Sequence, residues 1–431
     1  MAGLLEQAGY ERTSDDQDAD VVLINTCSVR EKAEEKLFTR LGQFRQMELE
    51  TGHRPVVAVA GCVAQQEGTQ ILRRSKDVDV VIGTQNLKRL PMLVSQAVET
   101  PAHHRTPLID LDPLGDVSFP LGIARRNDPF KAYVTIIEGC NEFCAFCVVP
   151  YTRGHERMRP AADIIAETRH AVDTGAREVQ LLGQIVNHYQ APDDPTCDFA
   201  RLLERLNDID GLERIRFASP HPRHVTAPMI AAMRRLPKVC RHLHLPVQSG
   251  STRVLAAMRR RHTREDYLDL VGHLREAIPD IALSTDMIVG FPGETAEDFE
   301  QTLSLTAAVR YHSMFSFKYS PRPNTLALKR LPDDVEEGEK TRRIVALQRL
   351  QGEIQRELYE QAVGQVADVL VDSRSRRREW ELSGRTSGNT VVNFGGPPEW
   401  IGRIVPVRIT AANPNSLKGT AAALDTVSCP S

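Results

Sequence analysis

Three cysteines in one short run are the residues of this sequence best suited to chemistry. Cys140, Cys144 and Cys147 stand in EGCNEFCAFC, directly after the strand-like stretch KAYVTIIEG. Thiolates spaced C-x3-C-x2-C can bind three irons of a cubane [4Fe–4S] cluster and leave the fourth iron without a protein ligand. Structural zinc is the alternative, but a zinc site normally gains a fourth Cys or His from a second pair, and none follows here. The spacing therefore predicts a cluster with one open iron.

Two further cysteines occupy matching positions nearer the amino terminus. Cys27 in INTCSVREK and Cys62 in VAGCVAQQ each follow an apolar strand and precede a helix. Isolated cysteines in such domains are usually small buried apolar residues. Because the carboxyl ends of parallel strands meet at one edge of a sheet, we interpret this pair as metal ligands. Cys197, Cys240 and Cys429 occupy unrelated positions, and we interpret them as incidental.

The elements that position these cysteines follow a βα alternation. From residue 1 to about 98, the apolar strands DVVLINT, PVVAVAG and DVVIG alternate with helices, which predicts a parallel α/β sheet. Residues 99–129 contain five prolines and little periodicity, and we predict a linker there.

A repeated βα unit fills residues 130–361 and predicts a partial (β/α)6 barrel. A long helix over about 333–361 ends this section. Reactive groups of such barrels gather at the carboxyl ends of the strands, where the cysteine triplet follows the first strand. The strands are predicted near 131–138, 178–182, 213–217, 242–245, 281–289 and 313–318.

Residues 362–428 contain short β segments separated by Gly, Asn and Pro turns, which predicts a small β-barrel. The net charge of −3 does not indicate a nucleic-acid-binding protein. Basic residues nevertheless cluster at Arg153, Arg157 and Arg159, in RRRHTR (259–264) and in SRSRRR (373–378). One such run is usually a solvated face, but three favour a polyanionic partner.

The sequence contains no apolar run near the ~20 residues of a membrane span. Its start, MAGLLEQAGYE, lacks the layout of a signal peptide. We expect a cytoplasmic protein without membrane contact.

The cysteine triplet, with Phe146 before its last cysteine, resembles the signature of radical S-adenosylmethionine (SAM) enzymes. In that superfamily SAM chelates the open iron. Gly183 and Gln184 then stand where the backbone contacts the amino acid end of SAM, and Arg260 is a candidate partner of its carboxylate. The other predicted SAM-binding positions at strand ends are Ser219, Gln248, Gly290 and Gly293, the last two in GFPGE. Ordinary loop structure is the alternative for each, and the histidines are interpreted as mostly structural.

Motifs spread over the chain resemble the MiaB-type family of tRNA methylthiotransferases. They are INTCSVREKAEEK, GCVAQQEG, EGCNEFCAFCVVPYTRG, HLPVQSGS, DMIVGFPGET, LSGR and PNSLKG. The resemblance implies an N-terminal methylthiotransferase domain, a radical SAM partial barrel and a C-terminal TRAM domain that binds RNA. Departures from the family pattern are Ile185, Pro220 and Asn324.

The resemblance also implies two [4Fe–4S] clusters. Cys140, Cys144 and Cys147 match the ligands of the SAM-binding cluster, and Cys27 and Cys62 match two of the three ligands of an auxiliary cluster. The third would precede Met1. We expect the DNA upstream to encode a short strand that ends in cysteine, and the 431-residue form to hold about four irons rather than about eight.

The implied reaction adds a methylthio group to C2 of an N6-isopentenylated adenosine, A37, in the anticodon stem-loop of tRNA. SAM is both the radical source and the methyl donor, and the expected electron donor is a flavodoxin or ferredoxin. We expect a monomer. Two alternatives stay open: a methylthiotransferase that acts on an aspartate of ribosomal protein S12 or on threonylcarbamoyl-adenosine, and a non-catalytic iron–sulfur or zinc protein that binds RNA.

Overall fold

The computed structural model describes residues 1–27, 31–112, 128–375, 378 and 380–422. The chain forms two compact units. The first comprises Met1–Arg125, Glu138–Arg157 and Arg322–Thr325, and the second comprises Arg126–Ile137, Met158–Pro321 and Leu326–Ser431. In the described ranges, no helix combines the length and apolar character needed to cross a membrane.

The first unit is built on a parallel four-stranded sheet in the order β1-β2-β3-β4. All six residues of β2 are buried, because helices cover both faces of the sheet. Val57 and Val59 pack on the side of α2, while Val56 and Ala58 pack on the side of α5. The elements are α1 (Ala2–Gln7), β1 (Val21–Thr26), α2 (Glu31–Thr51), β2 (Val56–Gly61), α3 (Cys62–Glu67), α4 (Thr69–Arg74), β3 (Val80–Ile82), α5 (Leu90–Glu99) and β4 (Leu108–Asp110).

Strand β4 corrects the sequence prediction. It lies within the stretch predicted to be a linker, yet Ile109 pairs in parallel with Val81 of β3. Three residues are too few to show an alternation, so the pattern could not reveal this strand.

The second unit contains the six predicted strands, arranged as two parallel three-stranded sheets, β5-β8-β9 and β10-β11-β12. A parallel bridge between Ile215 and Val239 joins the two sheets. The six strands therefore form a partial barrel with helices outside. Its elements are β5 (Lys131–Thr135), α7 (Ala161–Asp173), β8 (Glu178–Leu182), α8 (Phe199–Asn207), β9 (Arg214–Phe217), α9 (Ala227–Arg235), β10 (His242–His244), α10 (Thr252–Ala257), α11 (Arg264–Ala277), β11 (Ala282–Val289), α12 (Ala296–Val309), β12 (Ser313–Lys318), α13 (Leu326–Arg330) and α14 (Glu337–Gln361).

Between β5 and α7 the chain forms β6 (Ile137–Glu138), α6 (Val149–Arg153) and β7 (Arg157–Met158), and β6 pairs with β7. Capping boxes fix where two outer helices begin. Thr263 and Asp266 cap α11, and Thr295 and Asp298 cap α12. Each box satisfies backbone N–H groups that the first helical turn leaves without partners.

A closed β-barrel ends the second unit, as the sequence predicted. Its strand order is β13-β14-β15-β17-β16, and Phe394 and Val407 are buried in its core. Tyr359 of α14 joins the same core and so ties this C-terminal barrel to the preceding helix. The strands are β13 (Val366–Arg374), β14 (Glu381–Thr386), β15 (Val391–Gly395), β16 (Ile404–Asn413) and β17 (Ser416–Ala421).

Two buried arginines of β9 hold the C-terminal barrel against the partial barrel. Arg214 donates to the carbonyl oxygens of Arg385 (2.6 Å) and Asp368 (2.7 Å). Arg216 donates to those of Thr386 (2.6 Å) and Ser387 (2.9 Å). The sequence alone does not reveal these contacts, because nothing in the local pattern of β9 distinguishes a buried arginine from an exposed one.

Candidate functional site

The cysteine triplet lies in a loop of the first unit that folds back on itself. The N–H of Cys140 donates to the carbonyl of Gly154 (3.1 Å), and that of Cys147 donates to the carbonyl of Cys144 (3.0 Å). Gly139 has φ +76°, and a Cβ there would lie 2.1 Å from the carbonyl oxygen of His155. Glycine is therefore required where the chain enters the loop.

Within the described residues these three cysteines form no disulfide, and the loop contains the thiol ligands that an iron–sulfur cluster uses. Cys140 is 8% exposed, while Cys144, Phe146 and Cys147 are half-buried. Burial raises the pKa of the Cys140 thiol to about 12. This thiol is therefore protonated until a metal displaces the proton. Thiolate chemistry and spacing fit a [4Fe–4S] cluster.

The described residues include no group of three His, Cys, Asp or Glu side chains arranged to hold one metal ion. The absence of such a group from the described residues argues against a site there for a single metal ion, whose ligands must all converge on one point. In a cubane cluster each thiolate binds a different iron, so the ligands need not converge in that way.

Hydrogen bonds within the first unit join the cysteine loop to the segment that follows the carboxyl end of β3. Thr84 donates to the carbonyl of Thr152 (2.6 Å), and Gln85 donates to that of Arg153 (2.6 Å). Arg157 in turn donates to the side-chain oxygen of Gln85 (3.1 Å). Helix α3, which begins at Cys62, also packs against α6. The loop and the carboxyl ends of the sheet strands thus belong to one packed structure.

The register of the sheet brings Cys27 and Cys62 to neighbouring strand ends. Thr26 pairs with Gly61, so each cysteine is the first residue after one of two adjacent parallel strands. Cys27 is exposed and Cys62 is buried. A Cβ at Gly61 would lie 2.3 Å from the carbonyl oxygen of Thr26, so the two backbones approach closely here. Cys27 and Cys62 therefore follow neighbouring strand ends at one edge of the sheet, and their role as metal ligands stays a prediction.

In the second unit, Gly183 and Gln184 directly follow β8. A Cβ at Gly183 would lie 3.2 Å from the side chains of Ile137 and Val186, so a larger residue would crowd the rim of the barrel. The side-chain oxygen of Gln184 is buried and has no hydrogen-bond partner within the described residues. Buried polar atoms normally have a partner, and a bound ligand would supply one.

Ser219 and Gln248, at the ends of β9 and β10, have a left-handed backbone. Their φ values are +60° and +79°, which is uncommon for residues other than glycine. Hydrogen bonds to β11 hold Gln248 in place: its N–H donates to the carbonyl of Asp286 (3.0 Å), and its carbonyl accepts from the N–H of Ile288 (2.9 Å). Such backbone conformations often mark functional sites.

The GFPGE segment uses its amide groups internally. The N–H of Gly290 donates to the carboxylate of Glu294 (2.6 Å), and that of Gly293 donates to Asp334 (2.7 Å). Arg343 donates to the same Glu294 carboxylate at 2.7 Å. Any ligand contact by these glycines must therefore use Cα or carbonyl groups rather than N–H groups.

Arg260 is buried and donates to the carbonyl of Pro246 (2.6 Å). Two histidines lie nearby, with ring centroids of His221 and His262 5.9 Å apart. Burial and the charge of Arg260 lower the pKa of both, to about 4 for His262. Both rings are neutral at physiological pH, which agrees with the interpretation of these histidines as structural. His221 also exchanges hydrogen bonds with Asn187, a contact that the sequence did not reveal.

A basic groove lies beside the C-terminal barrel. It encloses about 1270 Å³, and we define it by Lys131, Tyr133, Arg374, Arg385 and Lys418. The acidic lining residues are Asp128, Asp372 and Glu381. Within the predicted basic run, Arg376 and Arg377 lie outside the described residues.

Three family profiles match the chain. The radical SAM superfamily matches residues 134–306, the TRAM domain matches residues 360–422, and a family described as uncharacterized protein family UPF0004 matches residues 1–83.

Curated proteins resemble the chain over nearly its whole length. A tRNA-2-methylthio-N(6)-dimethylallyladenosine synthase of Alkalilimnicola ehrlichii is 46% identical, covering 98% of this chain and 93% of its own. The protein of the same name in Geobacter metallireducens is 46% identical, with coverages of 97% and 93%. That of Yersinia pseudotuberculosis is 45% identical, with coverages of 97% and 88%.

A solved structure shares the fold. The radical S-adenosylmethionine methyltransferase TsrM from Kitasatospora setae superposes with a TM-score of 0.53, covering 85% of this chain and 70% of its own. At 14% identity the likeness concerns the fold alone.

Proposed function

Because the chain belongs to the family of tRNA-2-methylthio-N(6)-dimethylallyladenosine synthases, we propose that it methylthiolates C2 of N6-dimethylallyladenosine at position 37 of tRNA. The single observation that carries this proposal is the cysteine loop. Three cysteines with C-x3-C-x2-C spacing lie there in a loop that backbone hydrogen bonds close and that is joined to the carboxyl end of β3. The radical SAM profile supports a [4Fe–4S] cluster and SAM as cofactors.

Cys140, Cys144 and Cys147 hold the SAM-binding cluster in this proposal. When bound, the reduced cluster and SAM supply the one-electron chemistry that activates an unreactive C–H bond. The chain supplies thiolates and a closed loop, and the burial of Cys140 limits access of water to its sulfur. Cys27 and Cys62 supply two thiolates of an auxiliary cluster.

Rim residues of the second unit bind SAM in this proposal. The buried oxygen of Gln184 accepts a hydrogen bond from the ligand, and Arg260 faces its carboxylate. The left-handed backbones of Ser219 and Gln248 and the close approach at Gly183 shape the rim. Gly290 and Gly293 place the GFPGE turn beside the nucleoside.

The basic groove binds the anticodon stem-loop through its phosphates. Arg374, Arg385 and Lys418 provide the positive charge, and Tyr133 provides a ring on which a base can stack. The enzyme acts as a monomer in the cytoplasm and receives electrons from a flavodoxin or ferredoxin.

Nucleoside analysis of cellular tRNA tests the proposal. A strain without the gene accumulates N6-dimethylallyladenosine and lacks its 2-methylthio derivative, and wild-type protein restores the product while Cys140→Ala does not. Unchanged tRNA nucleosides in the deletion strain overturn the assignment. Loss of a methylthio group from ribosomal protein S12 instead would identify the alternative substrate.

A further inference from the structure

One face of the β10-β11-β12 sheet points away from the surrounding helices. Leu243, Leu283 and Met287 belong to the core that the helices cover. Successive residues of a strand point to opposite faces, so His244 of β10 and Asp286 of β11 point into the partial barrel. This inner face is where a ligand can meet protein side chains.

An exposed aromatic ring lies on this inner face. Phe315 of β12 pairs in register with Asp286, and 53% of its surface is exposed. Its ring centroid is 6.1 Å from that of His244, at an interplanar angle of 71°. Strand β12 is at the end of the sheet order, so the ring stands at an edge of the open barrel. An exposed aromatic face at such a place is suited to stack on a planar ligand.

A hydrogen-bonded chain fixes the polar groups beside this ring. The hydroxyl of Ser284 lies 2.9 Å from Nδ1 of His244 and 3.1 Å from Nε2 of His242. Nε2 of His244 lies 3.3 Å from Oδ1 of Asp286, whose side chain remains 29% exposed. The serine therefore orients the imidazole, and the imidazole positions a carboxylate that still faces the interior of the barrel.

We propose that Phe315, His244 and Asp286 bind the purine of the substrate nucleoside. The proposal rests on the proposed function and names the base-binding residues of that reaction. Phe315 stacks on the purine, and the Asp286 carboxylate accepts a hydrogen bond from the single N–H that remains on N6 when one alkyl group is attached. His244 is a positioning residue that holds the carboxylate in place. A carboxylate only accepts hydrogen bonds at neutral pH, so this site rejects bases that present a carbonyl at position 6.

The first test distinguishes stacking by the aromatic ring from simple filling of space by an apolar side chain. Phe315→Leu keeps an apolar side chain but removes the aromatic face, whereas Phe315→Tyr keeps the face. We expect Phe315→Leu to lower kcat/KM for an N6-dimethylallylated stem-loop roughly 5- to 150-fold and Phe315→Tyr to stay near wild type. Quenching of 2-aminopurine placed at position 37 of the stem-loop reports stacking independently of catalysis and should weaken in Phe315→Leu.

The second test addresses the N6 hydrogen bond. A stem-loop whose N6 carries both a methyl and a dimethylallyl group cannot donate to Asp286. We expect wild-type enzyme to bind it more weakly than the natural substrate, and Asp286→Ala to bind both alike. Equal binding of both stem-loops by wild-type enzyme overturns the role of Asp286.

Two control variants lie outside this face. Ser316→Ala changes the next residue of β12, whose hydroxyl accepts from Gln348 on the helix-covered side. Asp280→Asn changes a carboxylate in the loop before β11 that is 70% exposed. Both should keep wild-type kcat/KM.

If wild-type protein methylthiolates tRNA and Phe315→Leu is equally active with unchanged quenching, the inference fails while the proposed function stands. If wild-type protein makes no methylthiolated tRNA, the proposed function itself fails.

Discussion

At the scale of single residues, the proposed chemistry depends on whether the thiols of the cysteine loop carry a proton. Cys140 is nearly buried, and its raised pKa means that the free thiol holds its proton. In the proposed cluster iron must displace that proton, so metal loading at this position should depend on pH.

Replacing a cysteine of the triplet tests its proposed role as a cluster ligand. Cys140→Ala, Cys144→Ala or Cys147→Ala should each abolish formation of 5′-deoxyadenosine from SAM, because one iron loses its ligand. The measurement is chromatography of the products after anaerobic reconstitution and reduction. Cys197→Ala is the matched control, because Cys197 is a buried cysteine in the core of the second unit. Undiminished 5′-deoxyadenosine in any triplet variant would contradict the assignment.

The loop also depends on a residue without a side chain. Gly139→Ala must place a Cβ against the carbonyl of His155 in a left-handed backbone. We expect the iron content of the reconstituted variant to fall well below that of wild type. Gly272→Ala in α11 meets nothing within 4 Å, and it should keep the iron and raise stability by about 0.5–1 kcal/mol. Equal iron content in both variants would show that the loop tolerates the substitution.

At the scale of elements, parallel strands bring distant residues to common edges. Strands β1 and β2 place Cys27 and Cys62 side by side, although the two cysteines are far apart in the chain. The strands of the partial barrel place rim segments at their carboxyl ends, and β8 has a buried charge at its amino end. Glu178 begins β8, and Arg216 of β9 donates to its carboxylate at 2.9 Å.

This buried pair supports a prediction about stability. Burial opposes the charge of Glu178, but Arg216 and Lys131 hold the pKa of its carboxyl below the usual value. Arg216→Ala leaves that carboxylate buried without its main partner and removes two hydrogen bonds to the C-terminal barrel. We expect a loss of about 3–5 kcal/mol in the free energy of unfolding, measured by denaturant titration. Arg342→Ala, at an exposed ion pair, should cost less than about 1 kcal/mol. A similar cost for both would argue against the buried pair.

At the scale of the whole molecule, the C-terminal barrel presents the basic groove while Arg214 and Arg216 hold it against the partial barrel. The carbonyl of Arg385 accepts from Arg214, and the side chain of Arg385 lines the groove. The surface proposed to grip RNA is therefore fixed directly to the barrel proposed to hold the reactive base.

Salt dependence tests the grip on RNA. Changing Arg374, Arg376, Arg377 and Arg378 to alanine should weaken tRNA binding. The slope of log K against log salt should fall by about 0.7–0.9 for each phosphate that the variant no longer neutralises, because fewer counterions are then released on binding. Arg342→Ala with Arg356→Ala removes exposed charge from α14 and should leave the slope unchanged. If affinity and slope both persist without the four arginines, this run is only a solvated face.

The sequence by itself determined the alternation of strands and helices, the α/β class, the closed C-terminal barrel and the family. The first three properties follow from local spacing, because apolar runs are separated by turn residues. The family follows from motifs along the chain that resemble it, the cysteine triplet among them. It placed Cys27 and Cys62 at strand ends because the pattern shows where a strand stops. The register that makes them neighbours agrees with that placement.

Only the tertiary structure decided which polar groups are buried and what they contact. Arg214 and Arg216 have no local signature, because their partners in the C-terminal barrel are carbonyl groups of residues more than 150 positions away. The short β4 became visible only through its pairing with β3. The use of the Gly290 and Gly293 amides by Glu294 and Asp334 likewise depends on how the turn folds. Long-range pairing and burial are properties of the packed chain, and they cannot be predicted from the local spacing of residues.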